Sequence, residues 1–175
     1  IADVSHFFNS RTQINNEAEK RATSVYLVDR TIPMLPEKLS NNLCSLKPNV
    51  DRLTFSVLIK MDERFKIISS WVGRTVIHSK KRFTYDEAQI SIDNTDGLFH
   101  EELKNLNAIA KNVRKKRLES GSFNFRSNEV KFKLDENKKP VGVYKKLRKD
   151  THKLVEEYML LANKIVAELI INHEK

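Results

Sequence analysis

Three pairs of neighbouring acidic residues are the first candidates for chemistry: Asp86-Glu87, Glu101-Glu102 and Glu156-Glu157. Carboxylates that converge in space can hold a divalent cation, because hard cations prefer oxygen ligands. Neighbouring residues on a helix point about 100° apart, so none of these pairs forms a metal site by itself. The sequence also lacks paired cysteines, a His-x-x-x-His spacing and a glycine-rich phosphate loop. These residues therefore predict no metal site within the chain.

Aromatic residues interleaved with basic ones are a second signal. They occur in the segments Lys80–Tyr85 (KKRFTY), Phe123–Arg126 (FNFR) and Lys131–Lys133 (KFK). Bases of single-stranded nucleic acid stack on aromatic rings for about 1–3 kcal/mol each, while cations follow the phosphates. Each ring also has a structural interpretation, because large apolar side chains commonly pack in cores. Both interpretations stay open when the residues are considered one at a time.

The charge balance favours a polyanionic partner. There are 32 Lys and Arg against 23 Asp and Glu, a formal net charge of +9, and the pI is about 9.6. Such a balance is typical of nucleic-acid-binding proteins. The excess is concentrated at 80–82, 111–117 and 145–153, and each cluster also fits a solvated helix or loop face.

Size and apolar content indicate a globular chain. At 175 residues with 39% hydrophobic residues, it is long enough to bury a core. No apolar run approaches the roughly 20 residues that cross a bilayer, and the first residues lack a signal-peptide pattern, so no membrane partner is expected. Cys44 is the only cysteine, which suits core packing in a reducing cytoplasm and excludes an intrachain disulfide.

Two amphipathic helices are predicted, and they carry several of the acidic and basic residues named above. Apolar residues recur every three or four positions through 151–170, the period of a long core helix. Glu156 and Glu157 interrupt the run of apolar residues in this helix, so their carboxylates must reach solvent or a polar cavity. A second helix is predicted from Leu103 to Leu118, with Gly121 just beyond its end.

Strands are predicted between and after these helices. Alternating apolar residues predict a strand at 53–60 and its returning partner at 65–77. Two more strands are expected at 130–134 and 141–143, and residues 1–8 are expected to be the end of a buried strand. This order of elements favours an α+β (mixed α/β) fold with a largely antiparallel sheet and a long C-terminal core helix.

Seven sequence blocks together resemble one known family. They are IADVSH (1–6), RATSVYL (21–27), IPMLP (32–36), LSNNLCSL (39–46), RLTFS (52–56), FTY (83–85) and LVEEYMLLAN (154–163). Their order and approximate spacing resemble the RNB catalytic domain of ribonuclease R and ribonuclease II type exoribonucleases. The resemblance implies that 1–175 is part of a single RNB catalytic domain. The family's Asp-rich metal motif lies before the first block, and its catalytic Arg motif lies after the last.

The resemblance also implies an activity. It is processive 3′-to-5′ hydrolysis of single-stranded RNA to nucleoside 5′-monophosphates, dependent on Mg²⁺. The Mg²⁺ ligands and the catalytic arginine are expected outside this chain, so no catalytic residue is assigned here and the chain alone is expected to be inactive. Expected partners are single-stranded RNA and flanking parts of the same polypeptide, including RNA-binding domains, within a cytoplasmic monomer.

Three positions of this chain match family residues that contact RNA. Tyr85 matches the tyrosine that packs against the 3′-terminal base, and Phe125 matches the phenylalanine that clamps the base stack. Glu156 matches the residue that contacts the terminal ribose. Phe123 and Phe125 are two residues apart and are predicted to share one face of a strand, so Phe123 is the alternative clamp.

Two other functions stay open. A catalytically inactive relative that only binds RNA, or acts as a scaffold, would carry the same blocks, because the discriminating Asp cluster lies outside them. A basic interaction domain unrelated to RNA would leave the ordered blocks unexplained.

Overall fold

A computed structural model of the chain describes residues 1–123, 130–137, 139–145 and 147–173, with Lys131 described by its backbone only. The chain divides into two compact units. The first is Ile1–Ser56, Gly73–Arg82 and Glu129–Lys146, and the second is Val57–Val72, Phe83–Asn128 and Leu147–Lys175. Helices mixed with small antiparallel sheets and a long final helix confirm the predicted α+β fold. That 1–175 forms part of a single catalytic domain stays a prediction.

The first unit opens with a turn. Residues Val4–His6 form one 3₁₀ turn, and only an isolated bridge joins Ala2 to Thr54. Residues 1–3 do bond to β3, because the Phe55 amide donates to the Ile1 carbonyl at 2.8 Å and the Asp3 amide donates to the Leu53 carbonyl at 3.0 Å. Beyond Asp3 the predicted buried strand at 1–8 is wrong. The amides of Val4 and His6 donate to the carbonyls of Ala2 and Asp3, so they cannot join a sheet ladder.

Short elements follow in the first unit. They are α1 (Gln13–Arg21), β1 (Val25–Tyr26), β2 (Thr31–Ile32) and a π-helical segment at Lys38–Leu43. Thr12 begins α1 by accepting a hydrogen bond from the Asn15 amide at 3.3 Å. The π-helical segment buries Leu39, and burial raises the pKa of the half-buried Cys44 thiol beside it.

The two long strands, β3 (Asp51–Met61) and β4 (Ile67–His78), pair with each other as predicted. Within the first unit, three hydroxyls join them. Thr75 Oγ1 lies 2.6 Å from both Thr54 Oγ1 and Ser56 Oγ, and Thr54 is buried. These hydroxyls satisfy one another, which removes the cost of burying a polar side chain there.

A separate hairpin completes the first unit. It consists of β5 (Val130–Leu134) and β6 (Pro140–Lys145), which pair antiparallel with Phe132 opposite Val143. These two strands confirm the strands predicted at 130–134 and 141–143. Every residue of β6 is exposed.

Three helices build the second unit: α2 (Tyr85–Asp93), α3 (His100–Glu119) and α4 (Asp150–His173). Each contacts the other two, and they bury Ala110 and Ile165. The long helix predicted at 151–170 is confirmed as α4. Among the helices of the described residues, none is both long and apolar enough to span a membrane.

The C-terminal end of α3 is fixed in two ways. Gly121 has a φ of +94°, which glycine adopts at little cost, and its amide donates to the Leu118 carbonyl at 3.1 Å. One turn earlier, the Lys116 ammonium donates to the carbonyls of Arg64 and Phe65, at 3.4 and 3.3 Å. The turn between β3 and β4 is thereby tied to α3.

Candidate nucleic-acid interface

Tyr85 is the first residue of α2, and a reciprocal cap fixes the backbone around it. Thr84 Oγ1 accepts from the Glu87 amide at 3.2 Å, while Glu87 Oε2 accepts from the Thr84 amide at 2.7 Å. This capping box satisfies two backbone donors at the start of the helix. The Tyr85 side chain that follows the cap is 45% exposed.

One face of the Tyr85 ring lies against His152 of α4. The ring centroids are 4.1 Å apart and the planes are inclined by 13°, so the two rings are stacked. The buried Thr151 donates its hydroxyl to the Tyr85 carbonyl at 3.0 Å. The Lys149 amide donates to His152 Nδ1 at 3.2 Å. The start of α4 therefore fixes both the backbone and the ring of Tyr85.

Glu156 lies four residues after His152, on the same face of α4. Its carboxylate forms an ion pair with Arg148, and its side chain is 32% exposed. The two described residues with predicted RNA contacts thus lie on different helices, Tyr85 at the start of α2 and Glu156 in the first turns of α4, and Tyr85 stacks on His152 of α4. Their roles in binding stay predictions.

Glu157 has the opposite environment, because it is buried and faces α3. Its Oε1 accepts from Arg114 Nη1 at 3.0 Å and Arg117 Nη2 at 2.6 Å, and its Oε2 accepts from Arg117 Nε at 3.0 Å. Burial by itself raises the pKa of Glu157, but the hydrogen bonds and charges of the two arginines outweigh it and lower that pKa. Glu157 therefore acts as a charged link between α3 and α4.

This link between α3 and α4 was not predicted, although the sequence carries a signal for it. Arg114 and Arg117 are three residues apart, a spacing that puts both on one face of a helix. The basic cluster at 111–117 was assigned only to solvent or to a polyanion. In the structure, Lys111 also pairs with Asp150, at 2.8 Å. Part of this cluster is therefore used to hold the helices together.

An ionic arrangement also lies in the first unit. The buried Asp3 accepts from Ser5 Oγ at 2.6 Å and pairs with Arg74 Nε at 3.0 Å. Arg74 Nη2 also donates to Ser5 Oγ at 3.2 Å. The Ser5 hydrogen bond, with the Arg74 charge, lowers the pKa of Asp3 despite its burial. The Ser5 hydroxyl and the Arg74 guanidinium therefore both favour the ionised form of Asp3.

The acidic, histidine and cysteine side chains of the described residues do not converge as metal ligands. Within residues 1–123, 130–137, 139–145 and 147–173, no three His, Cys, Asp or Glu side chains are grouped so that they could hold a metal ion. Asp3, Glu156 and Glu157 are each paired with arginine, and Asp86 is paired with Lys149. The described residues therefore do not fit a Mg²⁺ site, which needs several converging oxygens.

The remaining predicted RNA contact, Phe125, lies outside the described residues. The alternative clamp, Phe123, is described and is 83% exposed. The choice between these two rings stays open.

Residues 1–175 match the family model of the RNB domain. The chain belongs to the RNB domain family. It is 43% identical over 178 residues to the exosome complex exonuclease RRP44 of Homo sapiens. The aligned region covers 100% of this chain and 18% of RRP44. It also resembles Mycoplasma genitalium RNase R in complex with ribose methylated single-stranded RNA. That likeness has a TM-score of 0.92 and 29% identity over 99% of this chain and 28% of that one.

A second similar structure is that of yeast Ssd1, a pseudonuclease. Its TM-score is 0.61 at 22% identity, over 68% of this chain and 14% of that one, so it shows the fold alone. The chain thus spans at most 28% of the length of these three proteins.

Proposed function

We propose that this chain is part of a 3′-to-5′ exoribonuclease that degrades single-stranded RNA. The observation that carries the proposal is the likeness, over 99% of the chain, to an RNase R whose structure contains single-stranded RNA. The identity of 43% to an exonuclease across the whole chain supports the same function.

Tyr85 of α2 and Glu156 of α4 supply two kinds of group that bind the end of an RNA strand. The exposed part of the Tyr85 ring offers a surface on which the 3′-terminal base stacks. The Glu156 carboxylate can accept a hydrogen bond from the ribose 2′-hydroxyl, the group that distinguishes RNA from DNA. The net charge of +9 adds affinity that weakens with salt. These residues bind and orient RNA, and the nucleophile must come from elsewhere.

Finer features belong to the same proposal. They are processive action, release of nucleoside 5′-monophosphates and dependence on Mg²⁺, with the metal ligands and an arginine supplied by other parts of the protein, as the family resemblance implies. We also propose that the protein acts as a cytoplasmic monomer.

A second candidate function is RNA binding or scaffolding without catalysis. It is favoured by one observation, the presence of this fold in the pseudonuclease Ssd1. In that case Tyr85 and Glu156 would bind RNA as proposed, but the RNA would stay intact.

The test uses the full-length protein and a 5′-labelled single-stranded RNA, with millimolar Mg²⁺ or with EDTA. An exoribonuclease of the proposed polarity shortens the labelled strand stepwise from its 3′ end and releases 5′-monophosphates, and EDTA stops it. Excess unlabelled RNA added after the start leaves a processive reaction unchanged. Retention of RNA without shortening would support the inactive relative, and immediate release of the labelled nucleotide would refute the polarity.

A further inference from the structure

Resting on the proposed exoribonuclease function, we propose that a basic cluster in the first unit binds the phosphates of single-stranded RNA. The cluster consists of Lys47, Lys80, Lys81 and Arg82. It lies where β3 begins, at Asp51, and where β4 ends, at His78. From sequence alone, 80–82 fits a solvated face equally well, and Lys47 has no role. None of the three predicted RNA contacts belongs to this cluster.

The first support is a contrast with the two other basic clusters of the sequence. Charges at 111–117 and 145–153 are used in ion pairs between helices: Lys111 with Asp150, Arg114 and Arg117 with Glu157, and Lys149 with Asp86. Residues 47–52 and 78–82 instead contain five Lys or Arg and a single carboxylate, that of Asp51. His78 Nδ1 lies 2.7 Å from that carboxylate. This end of the two strands therefore has a local excess of positive charge, which attracts a polyanion.

The second support is that the fold assembles the cluster from two segments that are far apart in sequence. An isolated bridge pairs Pro48 with Ser79, and the Asn49 amide donates to the Ser79 carbonyl at 2.8 Å. Lys47 and Lys80 each lie next to a residue of this bridged pair. Because backbone bonds hold both segments together, the cations are brought close to one another before RNA arrives, which lowers the entropic cost of binding.

The third support is the accessibility of the charged groups. All three residues at 80–82 are exposed, and Lys47 is half-buried. Lys47 Nζ donates to Asn42 Oδ1 at 3.1 Å, and because that acceptor is a neutral amide, the bond leaves the lysine charge uncompensated. Arg52 differs, since it donates to two backbone carbonyls of this region and therefore has a structural role.

Contacts from such side chains go to phosphate oxygens and carry no information about the bases. The cluster should therefore raise affinity for RNA of any sequence and let the strand slide between steps of shortening. Each phosphate that a cation neutralises releases counterions, so each contact on a single strand adds about 0.7 to the slope of log affinity against log salt. The salt slope thus counts the contacts.

The experiment measures binding of 5′-fluorescein single-stranded RNA to the full-length protein in EDTA, by fluorescence anisotropy at several salt concentrations. The triple variant Lys80→Gln/Lys81→Gln/Arg82→Gln should have a salt slope smaller by about 2. The advantage of the wild type over this variant should then shrink about 20-fold between about 50 and 200 mM salt. Lys47→Gln alone should lower the slope by about 0.7. These changes should be equal on uridine-rich and adenosine-rich RNA.

The matched control removes the same charge from exposed lysines of α3 and α4, as Lys104→Gln/Lys115→Gln/Lys164→Gln. It should leave the slope nearly unchanged. Equal slope changes in the two triple variants would assign the effect to overall charge and overturn the inference. An effect that depends on the bases would overturn it as well.

A second control keeps the charge and changes the side chain. Lys80→Arg/Lys81→Arg should retain the wild-type slope, and a lower slope in this variant would assign the segment a structural role and refute phosphate binding. If the triple glutamine variant does not fold, Lys80→Gln and Arg82→Gln decide singly. Each must lower the slope by about 0.7, and unchanged slopes refute the inference.

Failure of the inference and failure of the proposed function give different results. A wild-type salt slope in the triple glutamine variant, with RNA still bound and shortened, overturns only the role of the basic cluster. A full-length protein that neither binds nor shortens RNA refutes the proposed function itself, and the inference with it.

Discussion

The Arg117 guanidinium holds the Glu157 carboxylate through two hydrogen bonds, from Nε to Oε2 at 3.0 Å and from Nη2 to Oε1 at 2.6 Å. The preceding residue, Glu156, pairs with Arg148 nearer the surface. Two adjacent glutamates thus serve different neighbours, because successive residues of a helix point about 100° apart. Substitutions at the two positions should therefore separate stability from RNA contact.

We predict that Glu157→Gln lowers the free energy of unfolding by about 3 kcal/mol, because it leaves two largely buried guanidinium groups without a carboxylate. Urea unfolding of the purified protein measures the change. The control is Glu156→Gln, which loses a more exposed pair and should cost about 1 kcal/mol or less. Equal stabilities of the two variants would contradict the buried role of Glu157.

The same ion pair predicts a pH dependence. The folded-state pKa of Glu157 is lowered below the unfolded value of about 4.3, so the pair contributes its full stability above that pH. The contribution is lost as the pH falls through the folded pKa. The stability difference between the wild type and Glu157→Gln should therefore shrink on acidification below about pH 4.3. A difference that stays constant down to about pH 2 would be inconsistent with this assignment.

For Tyr85→Ala, we expect single-stranded RNA binding to weaken by about 1–3 kcal/mol with little change in stability, because a partly exposed stacking ring is removed. Affinity is measured by anisotropy and stability by thermal unfolding. Tyr26→Ala is a control, since Tyr26 is 79% exposed and has no predicted RNA contact. Normal affinity with a lower unfolding temperature would make Tyr85 a core residue.

Phe125→Ala and Phe123→Ala should differ in their effect on RNA. If Phe125 is the clamp, its removal weakens RNA binding by about 1–3 kcal/mol, and removal of the exposed Phe123 changes it little. The reverse result would assign the clamp to Phe123. Equal, small effects of both substitutions would reject a clamp in this segment.

Glu156→Ala should slow RNA turnover, or relax the preference against a 3′-terminal deoxynucleotide, because the carboxylate can accept a hydrogen bond from the 2′-hydroxyl. Turnover is compared on RNAs that end in a ribo- or deoxyribonucleotide. Glu168→Ala, which removes another exposed glutamate of α4 that pairs with Lys164, is the matched control. Unchanged kinetics on both RNAs would count against a ribose contact.

The elements that the sequence predicted well are those with a clear local signal. The period of 151–170 predicted α4, and Gly121 predicted the end of α3, because each signal depends on residues within the same element. Residues 1–8 gave an apolar pattern but no strand. Hydrogen bonds of Asp3 with Ser5 and His6 form a turn there, and an apolar pattern cannot predict such bonds.

The candidate site was predicted only as separate residues. Tyr85 and Glu156 came from the resemblance, but their joint position depends on the packing of α2 against α4, which no short pattern encodes. Glu157 and its arginines were missed because the partners are 40 and 43 residues apart in sequence. The stack of His152 on Tyr85 is equally non-local.

The capping box at Thr84 has a consequence for the evolution of this interface. Because Tyr85 directly follows the cap, its backbone is held by Thr84 and Glu87 on one side and by the Thr151 hydroxyl of α4 on the other, and not by the exposed side chains further along α2. Exposed positions further along the helix, such as Ile90, can then change without moving the ring. The chain can therefore drift in sequence along this helix surface while the placement of one side chain is preserved.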